Sequence, residues 1–119
     1  MSRETKPAAK KEETFDLLDI RLGRVIMVEP VTAVGKPVYQ LDIDFGKFGK
    51  KKSYGKFTKH EIDELKGQLV VGVLNFEPRQ MGDYLSEVLV LGVQYPKADS
   101  GEATILTPLQ SAKIGGKVF

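Results

Sequence analysis

The sequence has no cysteine and only one histidine, His60. The first absence excludes disulfides, thiolate metal sites and a cysteine nucleophile. The second leaves little for acid–base chemistry. His60 falls in the first turn of an expected helix, beside Lys59, and reads as an exposed structural residue. No Ser-His-Asp arrangement is visible and no nucleophile motif surrounds a serine. Gly46-Lys47-Phe48-Gly49 lacks the spacing of a phosphate-binding loop. Asp42 and Asp44 share one strand face, but no histidine stands near them to complete a ligand set, so they read as solvated acids or as partners for neighbouring Lys and Arg. No catalytic residue, metal or cofactor is therefore expected. Long apolar runs are missing too. Nothing approaches the roughly 20 residues of a membrane span, and residues 1–13 contain no apolar stretch of a secretory signal. No membrane insertion is expected, and the cytoplasm is the expected compartment. Net charge is only +2, too small to argue for a nucleic-acid partner by itself.

What is present suits one globular domain: 119 residues, 41% hydrophobic and 29% charged. Residues 1–14 mix Lys, Glu, Pro and Ala without apolar periodicity and read as a flexible tail. Phe15, Leu17 and Leu18 suit a short helical turn that packs on the domain or on a partner. Ile20 to Val28 reads as a strand, with a bulge at Gly23 that would decide whether Arg24 points in or out. Pro30 to Pro37 reads as a loop. Val38 to Phe45 alternates, with Tyr39, Leu41, Ile43 and Phe45 on one face and Gln40, Asp42 and Asp44 on the other, the period of a half-buried strand. Lys50 to Phe57 reads as a third strand. Thr58-Lys59-His60-Glu61 matches a capping box, predicting a helix of about two turns that carries Ile62 and Leu65 and stops at Gly67. Leu69 to Phe76 and Val88 to Val93 supply two more strands. One short helix between strands three and four is the order of the five-stranded OB barrel, an all-β fold whose second and third strands, with the loops after strands one and four, bind oligonucleotides. Ala103 to Leu106 and Ile114 to Val118 exceed that plan and are expected to pair with the barrel rim or across a two-fold axis.

Two features fall on the expected binding face. From Lys47 to His60 there are six lysines and no acid, interleaved with Phe48, Tyr54 and Phe57. Lysines with aromatics suit phosphate contact and base stacking; the bland alternative is a solvated edge that resists aggregation. Phe48 and Phe57 can point inward, which leaves Tyr54 as the better stacking candidate. The second feature is Asn75 to Ser86, a segment between two apolar runs that carries Pro78 and the Gly82-Asp83 turn signal. Its Arg79 offers a planar fork for phosphate or a base edge, or else braces the loop. Asn75 and Ser86 contact a ligand or satisfy loop backbone.

The stretch NFEPR, a short gap, then SEVLVLG resembles the tRNA-binding OB-domain family, within it the CsaA-type export-related chaperones. Asp19-Ile20-Arg21-Leu22-Gly23-Arg24-Val25 and Leu41-Asp42-Ile43-Asp44-Phe45-Gly46 support the resemblance, which covers residues 15–115. The wider family usually has Gly-Met where this chain has Val88-Leu89, so a role for that methionine does not transfer. The resemblance implies a homodimeric, non-catalytic domain over residues 15–119, with a C-terminal dimerisation extension and with tRNA or other structured RNA as partner. The RNA-binding residues expected are Lys50, Lys51, Lys52, Tyr54, Lys56, Asn75, Arg79 and Ser86. The chaperone subgroup implies, alternatively, a groove for unfolded or presecretory polypeptides, for which Phe76, Met81, Tyr84 and Leu85 are candidates.

Overall fold

A computed structural model describes residues 6–97 and 101–119. Strand β1 (Ile20–Ala33) turns directly into β2 (Lys36–Asp44), and β3 (Lys50–Gly55), helix α1 (Ile62–Leu65), β4 (Leu69–Val73), β5 (Arg79–Met81), β6 (Tyr84–Ser86), β7 (Leu89–Val90), β8 (Gly92–Gln94) and β9 (Ala103–Ile105) follow. The main sheet has the order β3-β2-β1-β4-β7, with every pairing antiparallel. This is the OB arrangement, and α1 sits between its third and fourth strands as expected. The curled sheet closes on itself at β3. Glu87 there donates its N–H to Lys52 O (2.8 Å) and accepts the Lys52 N–H on Oε1 (2.9 Å), while the Tyr54 N–H reaches Ser86 Oγ (3.3 Å).

The core follows the alternation of β2. Leu41, Ile43 and Phe45 are fully buried, and Val25, Val28, Phe57, Leu65, Val70, Val88 and Val90 pack around them. Phe57 does turn inward. Phe48 is half-buried, with the Arg21 guanidinium 4.3 Å from its ring centre and the Lys47 amine at 5.3 Å.

Several local expectations are corrected. The loop expected over residues 30–37 does not form. Both strands continue to a two-residue turn at Val34-Gly35, and the prolines lie within the ribbon, Pro30 opposite Tyr39 and Pro37 opposite Thr32. Both turn residues have positive φ, 51° and 74°, as a tight hairpin of this twist requires. Gly35 accepts this freely, whereas a β-branched valine is strained there. Val34→Asn is accordingly expected to raise stability by about 1 kcal/mol, seen as a higher thermal midpoint.

The bulge lies at Ile26, where the β1–β2 register slips between Val25 and Met27. Gly23 has a different role: a Cβ there would stand 2.6 Å from Ile43 Cγ2, so its smallness lets the core close. Arg24 is exposed and donates to Gly67 O at 2.8 Å. The helix is one turn long, because Thr58 does not cap it. Its hydroxyl donates to the Glu102 carboxylate, 44 residues away, and Glu61 takes the N-cap position without a side-chain bond. His60 is half-buried rather than exposed, its ring held by Glu64 and, at 2.9 Å, by Thr104 Oγ1.

Strand five of the expected plan is split. β7 pairs with β4, and β8 pairs with β9. The C-terminal segment forms only one bridge, Arg21 with Lys117, but its backbone follows β1: Leu22 N–H to Gly116 O (3.0 Å), Gly115 N–H to Leu22 O (2.7 Å) and Val118 N–H to Ile20 O (2.9 Å). It covers the first half of β1, which would otherwise be an open edge. Ahead of β1, residues 11–13 and 15–17 each form a 3-10 turn.

Candidate nucleic-acid interface

The segment after β4 is a β-hairpin rather than an irregular loop. β5 and β6 pair Arg79 with Ser86, Gln80 with Leu85 and Met81 with Tyr84, around the turn at Gly82-Asp83. Period-two alternation puts Arg79, Met81, Tyr84 and Ser86 on one side and Gln80 and Leu85 on the other. Ser86 is buried against β3, and the Tyr84 ring lies on Tyr54 with centroids 4.9 Å apart. The hairpin carrying Arg79 therefore stands directly beside the lysine-rich strand.

On β3 the same alternation separates the lysines. Lys50, Lys52 and Tyr54 share the outer face, opposite Asp44, Asp42 and Gln40 of β2. Lys51 falls on the other face, at the strand end, and is half-buried; Lys56 lies just past the strand. The run has no acid in sequence, yet the fold brings acids to it. Lys52 Nζ pairs with Asp42 at 3.1 Å, and Lys50, Lys51 and Lys52 share a recess with Asp42 and Glu87. The hydrogen bond that Lys52 donates to the Asp42 carboxylate raises the lysine pKa above its ordinary value. Asp44 accepts the Gly46 N–H at 2.8 Å and shapes the turn before β3. Burial pushes the Tyr54 phenol up from its ordinary value, so the ring stays neutral at physiological pH, and its hydroxyl donates to Gln40 Oε1 at 2.9 Å.

Asn75 has both ends of its amide engaged: Oδ1 accepts the Asp19 N–H and Nδ2 donates to Leu17 O, each at 2.8 Å. It clips the segment before β1 to the end of β4. Asn75→Ala removes both bonds, and we expect a loss of about 1–2 kcal/mol together with faster proteolysis around Leu17. Ser86 similarly joins β6 to β3, its hydroxyl also reaching Val88 O at 3.4 Å.

Two clefts flank Tyr54. One, about 290 Å³, is mainly apolar and includes Phe76, Met81, Val88 and Leu89, with Arg79, Glu77 and Glu87 at its edges. Of the four residues expected to line an apolar groove it brings together Phe76 and Met81; Tyr84 packs on Tyr54, and Leu85 is exposed on the other side of the hairpin. The second cleft, about 430 Å³, brings Lys56 and Arg79 together with Lys36. Lys36 and Glu87 escaped the sequence reading. The first lay inside a presumed loop, and the second lies 35 residues from the strand it clamps. Among the described residues no group of His, Asp and Glu could hold a metal ion, and no helix there is long and apolar enough to cross a membrane.

A curled sheet of OB order, with Lys50, Lys52 and Tyr54 on the outer face of β3, is the architecture on which oligonucleotide-binding modules are built. The chain belongs to the putative tRNA-binding domain family, whose model matches residues 20–117. Among solved structures it is similar to the chaperone CsaA of Bacillus anthracis, with a TM-score of 0.84 and 35% identity over 94% of this chain and 100% of that one. It is also similar to the CsaA chaperone protein of Picrophilus torridus, with a TM-score of 0.80 and 34% identity over 93% of this chain and 100% of that one. Methionine–tRNA ligases carry the domain as well: that of Nitrosomonas eutropha is 32% identical over 106 residues, 89% of this chain. The chain spans about 15% of that ligase's length.

Proposed function

We propose that this protein is a non-catalytic RNA-binding protein of the CsaA type that grips folded RNA, tRNA foremost, through the β3 face and the Arg79 hairpin, works as a homodimer in the cytoplasm, and serves protein export as a chaperone. The observation that carries the RNA reading is the Tyr54–Tyr84 contact, which unites the lysine-rich strand and the hairpin in one surface. On that surface Lys50, Lys52 and Arg79 engage phosphates, Lys51 and Lys56 extend the positive field, and Tyr54 offers a stacking plane. Asn75 and Ser86 serve by holding the hairpin's base and its return strand in place.

The dimer is supported by an apolar trough that includes Leu22, Val71, Leu106, Pro108 and Val118. Leu109 and Phe119, each next in the chain to a lining residue, are 100% and 96% exposed. A second reading is favoured by the smaller apolar cleft: Phe76 and Met81 would take a side chain of an unfolded presecretory polypeptide, without any RNA role.

A tRNA gel shift across salt concentrations, run beside sedimentation of the free protein, tests the proposal. Binding that weakens with salt at a log-log slope of about −0.7 to −0.9 per phosphate engaged, by a species of twice the chain mass, is the expected result. Salt-insensitive capture of an unfolded peptide by a protein that leaves tRNA unshifted would transfer the assignment to the second reading.

A further inference from the structure

We infer that Glu87 is a positioning residue for RNA binding: its carboxylate clasps the backbone of Lys52 and so fixes the lysine-rich strand relative to the hairpin that carries Arg79. This deepens the RNA reading and rests on it. In an ordinary antiparallel pair the two residues exchange bonds through their own N–H and C=O groups. Glu87 departs from that pattern. It donates its N–H to Lys52 O at 2.8 Å, but it takes the Lys52 N–H on its side-chain Oε1, at 2.9 Å. Two residues further along β3 the substitution is repeated, since the Tyr54 N–H is taken by Ser86 Oγ at 3.3 Å. Two adjacent side chains, Ser86 and Glu87, thus stand in for the carbonyls of a pairing strand.

The consequence is a fixed spacing. Ser86 is paired with Arg79 across the hairpin, and Glu87 follows it in the chain. Lys52 shares the outer face of β3 with Lys50. The clasp therefore joins the lysines and Arg79 through the backbone, while the other margin of β3 is held by β2. Groups already held at the spacing their ligand needs bind as one site, because little ordering is left to do on binding. Charge alone argues the other way. Glu87 is exposed and lines a recess with Lys50, Lys51 and Lys52, where a carboxylate repels phosphate. An ionised acceptor forms a stronger bond to an N–H than a neutral one, which is a physical reason for an acid at a place where its charge opposes RNA. The positioning role and the charge predict opposite signs, so they can be separated.

Two variants separate them. Glu87→Gln keeps an oxygen at the same reach and removes the charge. Glu87→Asp keeps the charge and is one methylene shorter, so its oxygens fall short of the Lys52 N–H. In tRNA gel shifts across salt concentrations, Glu87→Gln is expected to bind roughly threefold tighter than the unaltered chain. Glu87→Asp is expected to bind about tenfold more weakly, its log-log slope reduced by about 0.7–0.9 for each lysine disengaged. In hydrogen exchange of the free protein, the Lys52 amide is expected to stay protected in Glu87→Gln and to exchange faster in Glu87→Asp. Both variants are expected to keep the fold, because the side chain is exposed. Val25→Ala, in the buried core on β1, controls for general destabilisation and is expected to leave the slope unchanged. Unaltered tRNA binding by Glu87→Asp, or weaker binding with its Lys52 amide still protected, overturns the positioning role and leaves the RNA reading in place. A slope reduced as much by Val25→Ala does the same. An unaltered chain that fails to shift tRNA while its Lys52 amide is protected overturns both.

Discussion

Phe45→Ala is expected to cost about 3–5 kcal/mol, lowering the thermal midpoint by roughly 10–25 °C. That is a large share of the 5–15 kcal/mol that typically holds a small domain together. The ring is fully buried, and three glycines from distant parts of the chain make room around this residue. A Cβ on Gly23 would lie 2.7 Å from Phe45 Cε1, one on Gly72 2.9 Å from Cζ, and one on Gly115 2.7 Å from the Phe45 carbonyl oxygen. Truncating the ring empties the junction of β1, β2, β4 and the C-terminal segment at once. The same geometry gives a sharper test. Gly72→Ala alone overpacks the site and is expected to cost about 1–3 kcal/mol. Combined with Phe45→Ala, its methyl enters the vacated space, so the double variant is expected to lose less than the sum of the single losses. Strict additivity in chemical denaturation would show that the glycine does not owe its place to the ring.

Charge on β3 and on the hairpin is expected to matter as much for binding as Phe45 does for folding. Lys50→Gln with Arg79→Gln removes two phosphate contacts. The log-log salt slope for tRNA should shrink by about 1.4–1.8 and affinity at moderate salt should fall about tenfold or more, with little change in stability because both side chains are exposed. Asp42→Asn is expected to act in the opposite direction. It releases Lys52 from a pair at 3.1 Å and removes a negative charge from the face, so tRNA should bind roughly threefold tighter and with a steeper slope. If all these variants bind with the wild-type slope, phosphates are held elsewhere.

How much of this was legible in the sequence depended on the range of the interaction involved. β2 was readable because alternation from Tyr39 to Phe45 is a local signal that burial of one face enforces. The OB order was readable because single elements and their sequence are enough to define it. The helix start was misread because Thr58 has a choice of partners, and Glu102 wins it from 44 residues away. The ribbon at Val34-Gly35 was hidden by Pro30 and Pro37, which usually punctuate loops, and by a valine where hairpin turns favour Asn or Gly. The lysine run was visible, but the pairing of Lys52 with Asp42 and the approach of Glu87 were not, since both arise only through the sheet register and the closure at β3. Lys36 was missed for the same reason: only the folded ribbon carries it to the cleft it shares with Arg79.

The closure between β3 and the return strand rests on few fastenings, chiefly the paired bonds of Lys52 with Glu87 and the link from Tyr54 to Ser86. A continuous ladder would have to unzip from one end. A seam stitched at a few points can part as a flap, with β3 still hinged to β2 along its other margin. The side of the cylinder where the lysines lie is thus its least firmly sewn margin, while the hydrophobic interior behind β2 is bounded by ladder pairing on both sides.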